Sequence, residues 1–146
     1  MKIWLKTMTA ACLVYWAPVL FGTAYGLAGE VLIIANPSVP AEKLDPDEIK
    51  NIFLGKTAKW ENNDMIMIVV FQDTDVHKNF LLKYIKRTEN QFENVWRQNL
   101  FTGKGTQPVK VQSVDELVEY VSKTKGAIGY ISSDVNPSGE IKVLAK

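Results

Sequence analysis

Hydrogen-bonding and ionisable side chains crowd into one short stretch of this chain, Gln72-Asp73-Thr74-Asp75 followed by His77 and Lys78. An amide, a hydroxyl, an imidazole and an ammonium in such proximity can hold a small anion by hydrogen bonds and charge, without covalent chemistry, and a carboxylate joins them only by accepting from an anion that still carries a proton. The stretch follows Met65–Phe71, an apolar run too short for a buried helix and rich in Ile and Val, which reads as a buried strand. It precedes an amphipathic run in which Phe80, Leu81, Tyr84 and Ile85 share one helical face. Strand, polar turn and helix start therefore follow one another. The free N–H groups of a first helical turn, with the helix dipole behind them, favour an anion at that point.

Each residue there has an ordinary role beside the binding one. Thr74 is the best match to a hydroxyl donor, and Gln72 can donate through its amide. Asp73 and Asp75 fit a ligand shell or, equally simply, a turn and a helix cap. His77, the only histidine, falls at the expected helix start, where the dipole disfavours its protonated form; it is a ligand or a solvated residue. Lys78 supplies attraction or is one more exposed lysine. Ser38, in the loop after the first strand, is expected to face the same end of the sheet and to help. Catalysis is not expected, because no nucleophile–base pair stands out. A metal or cofactor is not expected either, because no His/Cys/Asp group has ligand spacing.

The elements that must position this turn are legible on both sides of it. Val31–Ala35 is a short strand ended by the prolines of Asn36-Pro37-Ser38-Val39-Pro40. Asp45 caps a helix with Pro46 at its first position, Asp47 and Glu48 in its first turn, and Ile49, Ile52 and Phe53 as its buried stripe; Gly55 ends it. Thr88 and Gln91 form a capping box for a further helix whose Phe92, Val95, Trp96 and Leu100 are expected in the core. After the loop Phe101–Gly105, Ser113 and Glu116 have the same box spacing, with Gly126 as the expected C-cap. Ala127–Ile131 and Ile141–Leu144 read as strands. Strands separated by helices mean an α/β sandwich.

The first 28 residues read as a secretory signal rather than as part of the fold. Lys2 and Lys6 precede the apolar block Met8–Gly22, and Gly26 and Ala28 are spaced like the positions before a signal-peptidase cut. An uncleaved anchor is the other reading, since Met8–Ala28 nearly spans a bilayer; Pro18 and the small-residue tail favour cleavage. Cys12, the one cysteine, lies in this segment, so the remainder has neither disulfides nor thiol chemistry. Removing Lys2 and Lys6, the only charged residues before Glu30, takes the formal charge from +1 to about −1. Near-neutrality argues against a nucleic-acid surface. Residues 29–146 suit one domain with one core.

Four blocks in order carry a family resemblance: Ile52-Phe53-Leu54-Gly55-Lys56 with Trp60, then Ile68-Val69-Val70, then Phe101-Thr102-Gly103-Lys104-Gly105, then Gly126-Ala127-Ile128-Gly129-Tyr130. Together they resemble the substrate-binding proteins of phosphate ABC transporters, in the periplasmic binding-protein superfamily, and look closest to its small single-lobe relatives. The resemblance implies an α/β fold over residues 29–146, a single three-layer lobe with a central mixed sheet flanked by helices. It implies a periplasmic protein that recognises inorganic phosphate or a related small oxyanion, linked to phosphate ABC transport, with a membrane transporter, a second lobe or a second copy as partner. Family members carry a Ser/Gly/Thr-rich turn after the central strand, often led by an arginine. Here that turn has neither glycine nor arginine and contains two carboxylates. The alternative is therefore a lobe that has lost its ligand and serves as a periplasmic protein-interaction module.

Overall fold

The computed structural model describes residues 29–72 and 74–146; residues 1–28, which the sequence reads as a signal, and Asp73 lie outside the described residues. In chain order the elements are β1 (Val31–Ala35), α1 (Pro46–Phe53), β2 (Met67–Val70), α2 (Asp75–Phe80), α3 (Glu89–Thr102), β3 (Val109–Lys110), α4 (Val114–Lys123), β4 (Ala127–Ser132) and β5 (Lys142–Ala145). Beyond Phe80 the helix widens to π-helical geometry over Leu81–Ile85, closed by Lys86 N–H donating to Leu81 O at 2.7 Å with Lys86 left-handed.

Local chemistry sets the helix starts. Asp45 accepts from Glu48 N–H and Glu48 accepts from Asp45 N–H, both at 2.8 Å, so α1 begins with a complete capping box. Thr88 and Gln91 do the same for α3. At α4 only half of the expected box forms. Ser113 accepts from Glu116 N–H at 3.2 Å, but the Glu116 carboxylate turns one residue upstream, to Gln112 N–H at 2.8 Å. Nor is Gly126 the cap of α4: Thr124 holds that position, and Gly126 stands between helix and strand with φ +74°.

The five strands form one mixed sheet in the order β3-β2-β4-β1-β5. β2 runs parallel to both β3 and β4, whereas β1 is antiparallel to β4 and β5. Strand alternation splits the core in two. Ile33, Ile68, Val70, Ile128 and Tyr130 face α1, α2 and α3, with Phe53, Phe80, Phe92 and Trp96 packed against them. Ile34, Val69, Ala127 and Ile131 face α4 through Leu117, Val118 and Val121. Helices on both faces of a central sheet make three layers, as expected. Gly129 lets α4 lie close, because a Cβ there would stand 2.8 Å from Val69 Cγ1 and 3.1 Å from Leu117 Cδ2.

Candidate functional site

The turn leaving β2 is anchored from behind by one side chain of the neighbouring strand. Tyr130 on β4 is fully buried, and its Oη accepts from Phe71 N–H at 3.1 Å. The same oxygen lies 2.5 Å from His77 Nδ1, and His77 is also 0% exposed. Burial pushes the Tyr130 hydroxyl far above its ordinary value, only partly offset by the Phe71 hydrogen bond, so it keeps its proton. With Phe71 N–H already donating to Oη, we assign the Tyr130 proton to His77 Nδ1. His77 is thus a core residue, stacked against Tyr130 and edge-on to Phe92, and not a solvated one.

Thr74 sits at the N-cap of α2. Its Oγ1 accepts from His77 N–H at 3.2 Å and donates to Phe71 O at 3.0 Å, so the hydroxyl proton is engaged within the turn. Gln72 is half-buried, and its Nε2 donates to Glu93 Oε1 at 3.3 Å. Asp75 and Lys78 are exposed and pair with each other at 3.7 Å. Asp73 lies outside the described residues.

Ser38 is not brought to this turn, and the expectation that it faces the same end of the sheet is corrected by strand direction. Because β1 is antiparallel to β4, its C-terminal Ala35 pairs with Ile128, near the start of β4, and Met67 at the start of β2 pairs with Ala127. Ser38 therefore lies at the N-terminal ends of β2 and β4, where its Oγ accepts from Gly126 N–H at 3.0 Å. The turn lies at the other end of β2, about 13 Å away for a strand of this length. Asn36 completes the Ser38 end, donating to Val121 O and Ser122 O and accepting from Ser38 N–H.

The chain supplies a cleft beside the turn instead. From β2 it crosses through α2 and α3 on one face of the sheet to reach β3; from β3 it crosses through α4 on the other face. Two adjacent parallel strands whose exits go to opposite faces make a topological switch point, where open α/β sheets form their ligand crevices. A cavity of about 200 Å³ lies there, bounded by Gln72, Glu93, Arg97 and Lys110 over an apolar floor that includes Val70 and Trp96. Glu93 ties it together, receiving Gln72 Nε2 and standing 3.7 Å from Lys110 Nζ. Leu100, expected in the core, is 51% exposed and lines this cleft.

Sequence reasoning missed Glu93, Arg97 and Lys110. The first two are one helical turn apart on α3, a spacing visible in the sequence, but nothing local ties them to a turn some twenty residues earlier. Lys110 belongs to a strand only two residues long. The α-helical part of α2 is only six residues, so the helix dipole is a weak source of attraction there. Arg97 and Lys110 are the stronger positive charges. Among the described residues no group of three or more His, Cys, Asp or Glu is placed to hold a metal ion.

Comparison with known proteins places this architecture. Residues 27–143 match the family model of a PBP superfamily domain. The chain belongs to that superfamily, whose members are periplasmic or extracytoplasmic binding proteins rather than enzymes. Among solved structures it is similar to an ABC-type phosphate transport receptor from Vibrio cholerae, at 16% identity and TM-score 0.52 over 80% of this chain and 45% of that one. It is similar to a Clostridium perfringens protein solved with bound phosphate, at 18% identity and TM-score 0.59 over 80% of this chain and 44% of that one. A phosphate-binding protein from Stenotrophomonas maltophilia aligns at 21% identity and TM-score 0.54 over 76% of this chain and 36% of that one. At these identities the likeness establishes the fold, and the chain spans less than half the length of each. No curated protein matches it. Among the described residues no helix is long and apolar enough to cross a membrane.

Proposed function

We propose that the protein is an exported solute-binding lobe that recognises phosphate or a related small oxyanion at the turn after β2 and serves phosphate ABC transport. The observation that carries this is the cleft at the β2/β3 switch point, with Gln72 at its turn end and Arg97 and Lys110 in its walls. Similarity of fold to phosphate receptors supports the choice of ligand. The turn lacks an arginine; Arg97, reaching in from α3, is the guanidinium available to an oxyanion beside Gln72. Among the described residues lining the cleft, Glu93 is the acid that an incoming anion meets. Beside a fully ionised oxyanion its carboxylate is repulsive, but it accepts a hydrogen bond from an oxyanion that still carries a proton. Phosphate carries such a proton near neutrality and sulfate does not. Export by the basic-apolar segment at residues 1–28 puts the lobe in the periplasm.

Calorimetric titration with phosphate at low salt, with sulfate as control, tests the proposal. Saturable phosphate heat without sulfate heat is expected. No heat at millimolar phosphate would overturn solute binding and leave the fold as a protein-interaction module.

A further inference from the structure

On the other side of α3 from the cleft, two segments that the sequence sets far apart converge. Gly55-Lys56 follows α1, Lys104-Gly105 follows α3, and Arg87 comes from the turn before α3; together they rim an open concavity of about 560 Å³. Val95 and Asn99 form its α3 wall, facing away from Glu93 and Arg97. That size lies within the range of about 300–1,000 Å³ common for small-molecule sites.

The walls are built closely. Gly55 has φ +72°, and a Cβ on it would come within 2.7 Å of Asn99 Nδ2 and 2.9 Å of Trp96 Cη2. Only glycine fits a left-handed position pressed so near a neighbouring helix. Trp96 Nε1 donates to Phe53 O at 2.9 Å, and Asn99 Nδ2 donates to Leu54 O at 3.0 Å. These bonds satisfy carbonyls at the end of α1, so Lys56 is not required there as a cap.

The charge is what distinguishes this concavity. Among the described residues no carboxylate lines it, and the side chains of Lys56, Arg87 and Lys104 form no ion pair or hydrogen bond. Lys78, Lys83, Lys110, Lys123, Lys125 and Lys142 each meet a carboxylate; Lys43, Lys50, Lys59, Lys86, Arg97 and Lys146 meet none among the described residues, but none of these lines this concavity, where three unpaired cations share one hollow. Three like charges around one hollow repel each other until an anion enters. We propose that the concavity is a second anion site, separate from the turn, for a ligand carrying two or more phosphate groups. The three cations are exposed and each is screened by solvent, so attraction must come from several charges acting together, which favours a ligand with more than one phosphate group. A soluble polyphosphorylated molecule and the headgroups of an anionic lipid both present that chemistry.

Tripolyphosphate is the probe, titrated calorimetrically into the whole protein at low salt. Saturable binding is expected, weakened about tenfold or more in Lys56→Gln/Lys104→Gln, as loss of charge-assisted contacts dictates. Lys123→Gln/Lys125→Gln, which removes the same charge at the α4 side of the sheet, should leave it unchanged. Absence of saturable binding at millimolar tripolyphosphate, or equal weakening in both lysine pairs, overturns the proposal. Cosedimentation with phosphatidylglycerol vesicles that tripolyphosphate displaces would make a lipid headgroup the source. Tripolyphosphate binding without cosedimentation would make it a soluble ligand.

Discussion

Tyr130 Oη and His77 Nδ1 meet at 2.5 Å in the core directly behind the turn, and the same Tyr130 oxygen holds Phe71 N–H. One hydroxyl thus fixes both the point where the chain leaves β2 and the first turn of the helix that follows. Tyr130→Phe removes that link with little change of shape, leaving Phe71 N–H and His77 Nδ1 without this partner. The expected cost is about 2–4 kcal/mol, since each buried polar group deprived of its partner costs roughly 1–3 kcal/mol. Urea unfolding measures it, and faster hydrogen exchange at the Phe71 amide locates it.

The same tyrosine gives the fold an alkaline limit. Burial raises its value above the ordinary 10.0, so its contribution is fully present below about pH 10. Above that pH the unfolded chain releases the proton while the folded chain keeps it, and stability falls by about 1.4 kcal/mol per pH unit from this group. Unfolding curves between about pH 9 and 11.5 should show that slope in the native protein and a shallower one in Tyr130→Phe.

The two ends of the sheet separate stability from binding. Ser38→Ala removes the acceptor of Gly126 N–H and should lower stability by about 1 kcal/mol, the usual net worth of such a bond. Oxyanion affinity should not change, because Ser38 lies at the far end from the turn. Arg97→Gln should do the reverse. Its exposed guanidinium contributes little to folding, yet its loss should weaken phosphate by about tenfold. Equal loss of affinity in both variants would contradict this assignment of the sheet ends.

Much of the fold was legible because it rests on local chemistry. Asp45-Pro46 and Thr88 with Gln91 announce their helices, and runs such as Val31–Ala35 announce strands. What was not legible depends on strand direction and long-range pairing. Nothing around Val31–Ala35 says that β1 runs against β4, and that single fact moves Ser38 from the turn to the opposite end. His77 reads as a ligand or a solvated residue because it falls at a helix start in a polar turn; only the position of Tyr130, on a distant strand, makes it a core residue. Arg97 and Lys110 belong to the cleft through the β2–β3 crossover, which no local motif records.

Gly126 belongs to that long-range class too, since its role is not the helix cap its sequence position suggests. It accepts Trp60 Nε1–H at 2.9 Å and Met67 N–H at 3.1 Å, and a Cβ on it would stand 2.3 Å from Met65 O. With φ +74°, Gly126→Ala combines left-handed strain with a clash against backbone. A loss of about 2–5 kcal/mol is expected, read as a large fall in thermal midpoint. A substitution tolerated within about 0.5 kcal/mol would mean that the α4–β4 junction relaxes freely.

Glu93 should decide which oxyanion the cleft accepts. Its carboxylate is held by Gln72 Nε2 at 3.3 Å and Lys110 Nζ at 3.7 Å, so it stands where an incoming anion would seek the same donors. A protonated phosphate offers it a hydrogen bond; sulfate offers only repulsion. Glu93→Gln removes the repulsion and adds a donor, so sulfate affinity should rise by about tenfold or more while phosphate changes less. The ratio of the two dissociation constants is the measurement. An unchanged ratio in Glu93→Gln would remove Glu93 from selection and return attention to the two carboxylates of the turn itself.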